Sequence, residues 1–162
     1  MLSYKHGYHA GNQADVLKHI CLIQAYKSLK KHYNSISYID THAGSGNYNF
    51  NSNYMSKNKE YENGISKLDD YKYENQAIKY YLKVLRNINN SKKLSFYPGS
   101  PSIMSYISDN YDKLFFYELH NNEFEFLRKT LSKKTNCKIL NKNGFEFINL
   151  KIKKNQSALV LI

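Results

Sequence analysis

The chain has 162 residues and a formal net charge of +11 at pH 7, from 24 Lys and Arg against 13 Asp and Glu. This length is enough for one domain, residues 1–162, and is short for two. The cationic excess favours nucleic acid as a partner, then an anionic membrane surface, although a solvated Lys-rich surface remains an alternative. With neither a signal peptide nor a membrane-spanning run, we expect a cytoplasmic protein that does not bind membranes.

The cysteine and histidine spacings do not favour a metal site. Cys21 and Cys137 match no metal-binding or redox motif, and each lies in an apolar segment. We therefore expect two reduced cysteines in the core. His6 and His9 are close in sequence, but no nearby acid or cysteine completes a ligand set, so we expect no metal.

The first ten residues interleave aromatic and basic side chains, among them Tyr4, Lys5, His6 and Tyr8. On a mobile arm, such side chains could stack on bases and pair with phosphate groups. The alternative is a frayed terminus without a function.

Residues 11–32 are predicted to form the first helix. Asn12 is a good N-cap, and Asp15, three residues later, resembles the second member of a capping box. Apolar residues at helical spacing give the helix a buried face. Lys18 and His19 follow in the second turn, where on their own they are typical of a solvated face.

The most informative stretch is a short apolar strand, residues 36–39, followed at once by Asp40 and by two glycines, Gly44 and Gly46. In an open α/β sheet, ligands bind beyond the carboxyl ends of the strands. Glycines there let the backbone approach a ligand closely, although an ordinary turn has the same composition. The third glycine of the dinucleotide fingerprint is missing, which argues against a nicotinamide or flavin cofactor. The pattern fits better the S-adenosylmethionine loop of Rossmann-like methyltransferases.

A polar segment follows this loop, and the sheet pattern resumes only after residue 93. Within it, residues 64–68 and 77–88 are predicted to be helical. We therefore interpret residues 50–93 as an inserted helical subdomain.

A second turn motif, residues 97–101, follows a possible strand at 94–97. Ser100 is predicted to be the N-cap of the next helix and Pro101 its first residue. The free amides at such a helix start can bind an anionic group. An ordinary, well-capped helix is an equally good interpretation.

Three more strands are predicted at 114–118, 137–140 and 158–162, with helices at 122–130 and 145–150. Glu118 ends the first of these strands, where an acid typically accepts hydrogen bonds from ribose hydroxyls. Asn143 and Gly144 form a loop after the next. The last strand is apolar throughout, as is typical of a central parallel strand. The fold class is therefore α/β with a mostly parallel sheet, which we expect to be incomplete at its C-terminus.

The sequence resembles the bacterial 23S ribosomal RNA adenine-N6 methyltransferases of the RlmJ type. Five separated blocks carry the resemblance: residues 1–6, 9–19, 40–46, 97–101 and 118–120. It implies a Rossmann-like class I fold with a small helical insertion, S-adenosylmethionine as cofactor and no metal. It also implies 23S rRNA, protein-free or in an early assembly intermediate, as partner, and a monomer at full length.

The resemblance also implies roles for individual residues. The loop Gly44–Gly46 would lie against the methionine part of the cofactor, and Glu118 would bind its ribose. Asn143 stands where the family has Asp, which could weaken a contact to the adenine amino group. The implied cofactor contacts are His19, His42, Gly44, Gly46, Ser100, Glu118, Asn143 and Gly144, and the implied substrate-side residues are Tyr4, His6 and Lys18.

The family's catalytic Asp-Pro-Pro-Tyr motif does not occur in these 162 residues. We therefore expect this polypeptide, by itself, to transfer methyl groups weakly or not at all. The alternative is a non-catalytic RNA-binding or cofactor-binding remnant of such an enzyme.

Overall fold

The computed structural model describes residues 6–69, 74–146 and 157–162. The described α-helices are α1 (Gln13–Lys30), α2 (Asn53–Asn58), α3 (Ile65–Asp69), α4 (Gln76–Asn89), α5 (Ser100–Ile107) and α6 (Asn121–Thr130). The described strands are β1 (Ser37–Asp40), β2 (Asn47–Asn49), β3 (Phe96–Pro98), β4 (Lys113–Tyr117), β5 (Cys137–Leu140) and β6 (Ala158–Leu161). Short 3₁₀ helices span His6–Tyr8 and Glu60–Asn63.

The main sheet has the order β5-β4-β1-β6, and all of its pairings are parallel. In the centre, Tyr38 of β1 lies opposite Leu114 of β4 on one side and Leu159 of β6 on the other. The chain builds β4 and β5 on one side of β1 and then crosses to the other side for β6. The strand order therefore reverses beside β1, the position at which open α/β sheets bind their ligands. The predicted α/β fold with a mostly parallel sheet is confirmed.

The strand β6 lies at the outer edge of this sheet in the part of the chain that the structure describes. All four of its residues are half-buried. This edge position agrees with the expected incomplete sheet, although the apolar composition of the strand is typical of a central one. Leu159 and Leu161 pack against one buried cluster of the sheet, and Val160 packs against another.

A second, two-stranded sheet pairs β2 with β3 in antiparallel orientation, with Tyr48 opposite Tyr97. The sequence predicted a strand near β3 but not β2, because the Asn-Tyr-Asn segment offers a single large apolar residue. Tyr48 is nevertheless buried, so one aromatic side chain is enough to fix this short strand.

Within the described part of residues 50–93, α3 and α4 lie where the sequence predicted helices. The helix α4 packs against α1 and α5, and its residues Tyr81 and Leu85 are fully buried beside Ile23 of α1. Burying each such side chain contributes about 1.5–3 kcal/mol to folding. The grouping of residues 50–93 as an inserted subdomain stays a proposal.

The helix starts match the prediction at α1 and differ at α5. Asn12 caps α1, since its side chain accepts a hydrogen bond from the Asp15 amide at 3.0 Å. Gly99, rather than Ser100, occupies the cap of α5. The Ser100 hydroxyl instead donates to the buried carboxylate of Asp40, so its bonding partner lies on the sheet and not on its own helix.

Both thiols are free, but the prediction that both cysteines lie in the core is wrong. Cys21 is exposed on α1, and Cys137 is half-buried at the start of β5. Between Ile20 and Leu22, Cys21 falls on the solvent side of the helix. Among the described helices, none combines the length and the apolar composition that a membrane span requires.

Candidate functional site

A cavity of about 600 Å³ opens at the carboxyl ends of β1, β4 and β6. The structure brings nine of the predicted site residues into its wall: His6, Lys18, His19, His42, Gly44, Ser100, Glu118, Asn143 and Gly144. Gly46 lies outside the wall, and Tyr4 lies outside the described residues. Residues from five sequence blocks thus converge on one cleft at the predicted edge of the sheet.

The glycine loop after β1 has the backbone geometry that requires glycine. Gly44 and Gly46 have φ angles of +63° and +82°, a left-handed region that other residues rarely adopt. The carbonyl of Gly46 accepts hydrogen bonds from the Gly99 amide at 2.8 Å and the Ser102 hydroxyl at 2.9 Å. Gly46 therefore fixes the loop from behind, while Gly44 faces the cavity.

Glu118 joins the end of β4 to this loop. Its Oε2 atom accepts the Gly44 amide at 2.8 Å, and its Oε1 atom accepts the His120 amide at 2.7 Å. The carboxylate is half-buried in the cavity wall. Because each carboxylate oxygen accepts more than one hydrogen bond, both remain able to bind ligand hydroxyls.

Asp40, at the end of β1, organises the cavity floor. Its carboxylate is buried and accepts hydrogen bonds from the Ser100 hydroxyl at 2.7 Å and the Tyr38 hydroxyl at 3.0 Å. Burial raises the pKa of Asp40, although these hydrogen bonds oppose the shift. Asp40 thereby ties the start of α5 to the strand end, which explains the position of Ser100 in the cavity wall.

His19 is buried in the cavity wall and lies nearly parallel to Tyr97, with ring centroids 5.6 Å apart. Its Nδ1 atom shares a hydrogen bond of 2.8 Å with the Tyr97 hydroxyl. Burial lowers the pKa of His19 to about 3 despite the nearby negative charge of Asp15, so the ring is neutral at pH 7. Among the described residues, its Nε2 atom has no hydrogen-bond partner. A neutral imidazole in a cavity wall can offer that nitrogen to a bound ligand.

His6 and Lys18 meet at one buried carboxylate, that of Asp15. The Oδ2 atom binds His6 Nε2 at 2.8 Å and accepts the Gly11 amide at 3.0 Å, while the Oδ1 atom pairs with Lys18 Nζ at 2.6 Å. Burial alone would raise the pKa of Asp15, but the His6 hydrogen bond and the surrounding positive charges outweigh it and hold the pKa well below its usual range. The two predicted substrate-side residues are thus held by a common partner.

The opposite wall holds His42, Asn143 and Gly144. His42 is exposed, and its Nδ1 atom lies 2.8 Å from the Thr41 hydroxyl. Gly144 lies so close to the Thr41 backbone that a Cβ atom there would overlap it. The Asn143 side chain accepts the Phe145 amide at 3.2 Å and donates to Glu146 at 3.1 Å, so it fixes the start of the next turn.

The N-terminal segment, from His6 onward, is a structured turn and not the predicted mobile arm. Residues His6–Tyr8 form a 3₁₀ helix. His9 Nδ1 lies 2.9 Å from Glu60 Oε1, and the Asn12 side chain donates to the other Glu60 oxygen at 3.0 Å. These two hydrogen bonds, together with the charge of His9, hold the pKa of Glu60 below its usual value. Glu60 therefore joins this segment to the 3₁₀ helix Glu60–Asn63.

Sequence analysis missed several residues of the cavity wall. Asp15 was interpreted only as a capping residue, and Tyr48, His120 and Glu123 were not singled out, yet all four line the cavity. The available signal was the spacing of Asp15 and His19 by one helical turn, which places both on one face. In the part of the chain described by the structure, no group of three or more metal-ligating side chains is found.

Comparisons with known proteins agree with this geometry. The family model described as Ribosomal RNA large subunit methyltransferase D, RlmJ, matches residues 33–162. Two curated proteins named Ribosomal RNA large subunit methyltransferase J are similar over the whole chain, one from Haemophilus influenzae at 38% identity and one from Escherichia coli at 36%. The chain spans 58% of the length of each.

A crystal structure of a protein from Legionella pneumophila has the same architecture. The TM-score is 0.84 at 30% sequence identity, with 94% of this chain and 56% of that chain covered. Together with the matched family model, this likeness confirms the Rossmann-like methyltransferase fold. The chain belongs to the Ribosomal RNA large subunit methyltransferase D, RlmJ, family.

Proposed function

We propose that this chain forms the cofactor-binding half of a methyltransferase that uses S-adenosylmethionine to methylate N6 of an adenine in 23S rRNA. The single observation that carries this proposal is the Glu118 carboxylate, hydrogen-bonded to the Gly44 amide at 2.8 Å at the switch point of the sheet. An acid and a glycine loop joined there are suited to a nucleoside ligand. The cytoplasm, where ribosomal RNA is modified, is the proposed location.

The residues present fit the proposed cofactor. Glu118 would accept its ribose hydroxyls, and the backbone at Gly44 would lie against its methionine part. The unpartnered Nε2 atom of His19 would bind a polar atom of the same ligand. When bound, S-adenosylmethionine supplies an electrophilic methyl group, so the protein needs to contribute binding and orientation rather than a metal.

Asn143 would lie near the adenine part of the cofactor. Its Nδ2 atom already donates to Glu146 and its Oδ1 atom accepts the Phe145 amide. Asn lacks the negative charge of the aspartate found in the family, so its acceptor strength toward an adenine amino group is lower. We propose that the adenine contact contributes less here than the ribose contact.

The substrate adenine would enter beside the cluster formed by Asp15, His6 and Lys18. Lys18 and His6 are 35% and 24% exposed in their side chains, so both can contact an RNA base or phosphate. Tyr4 is the third proposed residue of this side. The net charge of +11 favours long-range attraction of RNA to the protein.

Titration calorimetry with S-adenosylhomocysteine tests the cofactor site. We expect saturable binding to the 162-residue chain, and at least about tenfold weaker binding for Glu118→Ala, because hydrogen bonds to a charged acceptor contribute about 1.5–3 kcal/mol. Glu125→Ala is the matched control, since Glu125 is exposed on α6 and pairs with Arg128. Equal binding by Glu118→Ala and the native chain would refute the proposed role of Glu118.

A second candidate function is a non-catalytic module that binds cofactor or RNA. It is supported by the cofactor cavity and the net charge of +11, because both favour ligand binding without requiring catalysis. A methyl-transfer assay on unmodified 23S rRNA can exclude the non-catalytic candidate, whereas background transfer is compatible with both. For the 162-residue polypeptide we expect transfer at or near background, and clear incorporation of methyl groups would exclude the non-catalytic alternative.

A further inference from the structure

A second groove, of about 760 Å³, lies on the outer side of α4, away from the residues of the cofactor cavity. Four cationic side chains line it, Lys79, Lys83, Arg86 and Lys92, and the remaining lining residues are Asn, Ser and Tyr. Its described lining residues thus include no carboxylate. We propose that it binds the phosphate backbone of RNA. The biological meaning of this inference rests on the proposed function, but its test does not.

The lysines of the groove are not engaged elsewhere in the described structure. Lys79, Lys83 and Lys92 form no ion pair or hydrogen bond with a described carboxylate. By contrast, Lys18 and Lys30 are both paired with aspartates. Three lysines without a described carboxylate partner, gathered in one groove, are complementary to a polyanion.

The stability of α4 by itself does not explain why these cations are placed on it. Lys79 lies in the first turn of α4, where a positive charge opposes the helix dipole. Lys79 and Lys83 are four residues apart on one face, so the two like charges repel each other. Only Arg86, in the last turn, is placed where the dipole favours a cation. The arrangement therefore costs helix stability, which a bound anion would offset.

The chemistry of the groove favours RNA over an anionic membrane. Its one aromatic side chain, Tyr106, is 45% exposed, and its hydroxyl accepts a hydrogen bond of 2.8 Å from Asn87. An exposed ring beside cations can stack on a base while the cations bind phosphates. Membrane binding requires an apolar face, and the groove offers charged and amide groups instead.

The groove and the cofactor cavity are connected through α5. Ser100, at the start of this helix, lines the cavity, and Tyr106, near its end, lines the groove. Six residues of helix separate them by about 9 Å along its axis. A structured RNA whose adenine enters the cleft could therefore contact the groove with another part of its backbone.

Fluorescence anisotropy with a labelled fragment of 23S rRNA, and separately with a mixed-sequence stem-loop, tests this proposal without cofactor. We expect the double variant Lys79→Glu, Lys83→Glu to weaken binding by about tenfold and to reduce the salt slope of log K by about one to two. The matched control is Lys133→Glu, Lys134→Glu, an equal charge change at exposed lysines after α6. It should weaken binding by less than about threefold.

Two checks keep the result interpretable. Lys79→Glu by itself places an acid in the first turn, which favours the helix, so a loss of RNA binding with an unchanged far-UV spectrum cannot come from unfolding. Equal weakening by the two double variants, or no weakening by either, would overturn the proposal. Loss of binding to phosphatidylserine vesicles with unchanged RNA binding would overturn it as well.

A failure of the groove proposal can be distinguished from a failure of the proposed methyltransferase function. If the chain does not bind S-adenosylhomocysteine but loses RNA binding only in the groove variant, the groove proposal stands and the methyltransferase proposal falls. If cofactor binding is intact and the groove variant binds RNA normally, the groove proposal falls and the cofactor-binding proposal stands.

Discussion

The carboxylate of Glu118 accepts a hydrogen bond from the backbone amide of Gly44 at 2.8 Å, across 74 positions of sequence. The acid at the end of β4 and the glycine loop after β1 are therefore one structural unit. Since Glu118 also accepts the His120 amide at 2.7 Å, it orders two loops at once. This dual role predicts that changes at Glu118 affect both folding stability and ligand binding.

Glu118→Gln should lower the free energy of unfolding by about 1–3 kcal/mol. Glutamine retains one acceptor oxygen, but its NH₂ group would face either the Gly44 amide or the His120 amide, and two donors cannot bond. Urea denaturation measures the change, with Glu125→Gln as control. A denaturation midpoint equal to that of the native chain would show that the two amides are satisfied by other groups.

Gly44→Ala should destabilise the chain by about 1–3 kcal/mol. The alanine would have to adopt a φ near +63°, and its Cβ atom would be directed at the Tyr48 hydroxyl. Combining it with Tyr48→Phe removes that hydroxyl, so the steric part of the cost should shrink in the double variant. Thermal unfolding of the four proteins of this cycle measures the coupling. Strict additivity of the two changes would contradict the proposed collision.

Much of the fold was predictable because local patterns and tertiary structure agree. The strands near 36–39, 114–118 and 137–140 were predicted because short apolar runs end in polar loops. The cap at Asn12 was predicted because its side chain bonds within four residues. In each case the determining interaction is local in sequence or depends only on hydrophobic periodicity.

What could not be predicted depends on contacts between distant residues. Ser100 has the sequence context of an N-cap, yet the buried carboxylate of Asp40, 60 positions away, takes its hydrogen bond. The strand β2 forms because Tyr48 packs between other elements, which its polar neighbours conceal. Asp15 had an adequate local explanation as a capping residue, so its ion pair with Lys18 and its bond to His6 were not anticipated.

Asp15→Asn should lower the free energy of unfolding at neutral pH by about 1–3 kcal/mol, the range for a buried charge pair discounted because its partners are partly exposed. The folded-state pKa of Asp15 lies below its ordinary value of 3.8. Its stabilising contribution is therefore complete above that value and is lost as the pH falls through the lower, folded-state pKa.

Denaturation of the native chain and Asp15→Asn across acidic pH measures this dependence. We expect the difference in stability to shrink steadily below about pH 4. A difference that grows as the pH falls below about 4 would contradict the ion pair with Lys18. Asp109→Asn is a useful comparison, because Asp109 pairs with Lys30 at 2.8 Å far from the cavity.

His19 gives a second pH dependence, at higher pH than that of Asp15. Burial lowers its pKa from 6.5 to about 3, so below pH 6.5 the unfolded chain binds a proton that the folded chain excludes. Stability should therefore fall on acidification, by up to about 1.4 kcal/mol per pH unit from this residue. His19→Gln removes the titrating ring and should flatten the profile between about pH 7 and pH 5. A slope that persists unchanged in His19→Gln would show that other groups produce it and would contradict the exclusion of a proton from the buried imidazole.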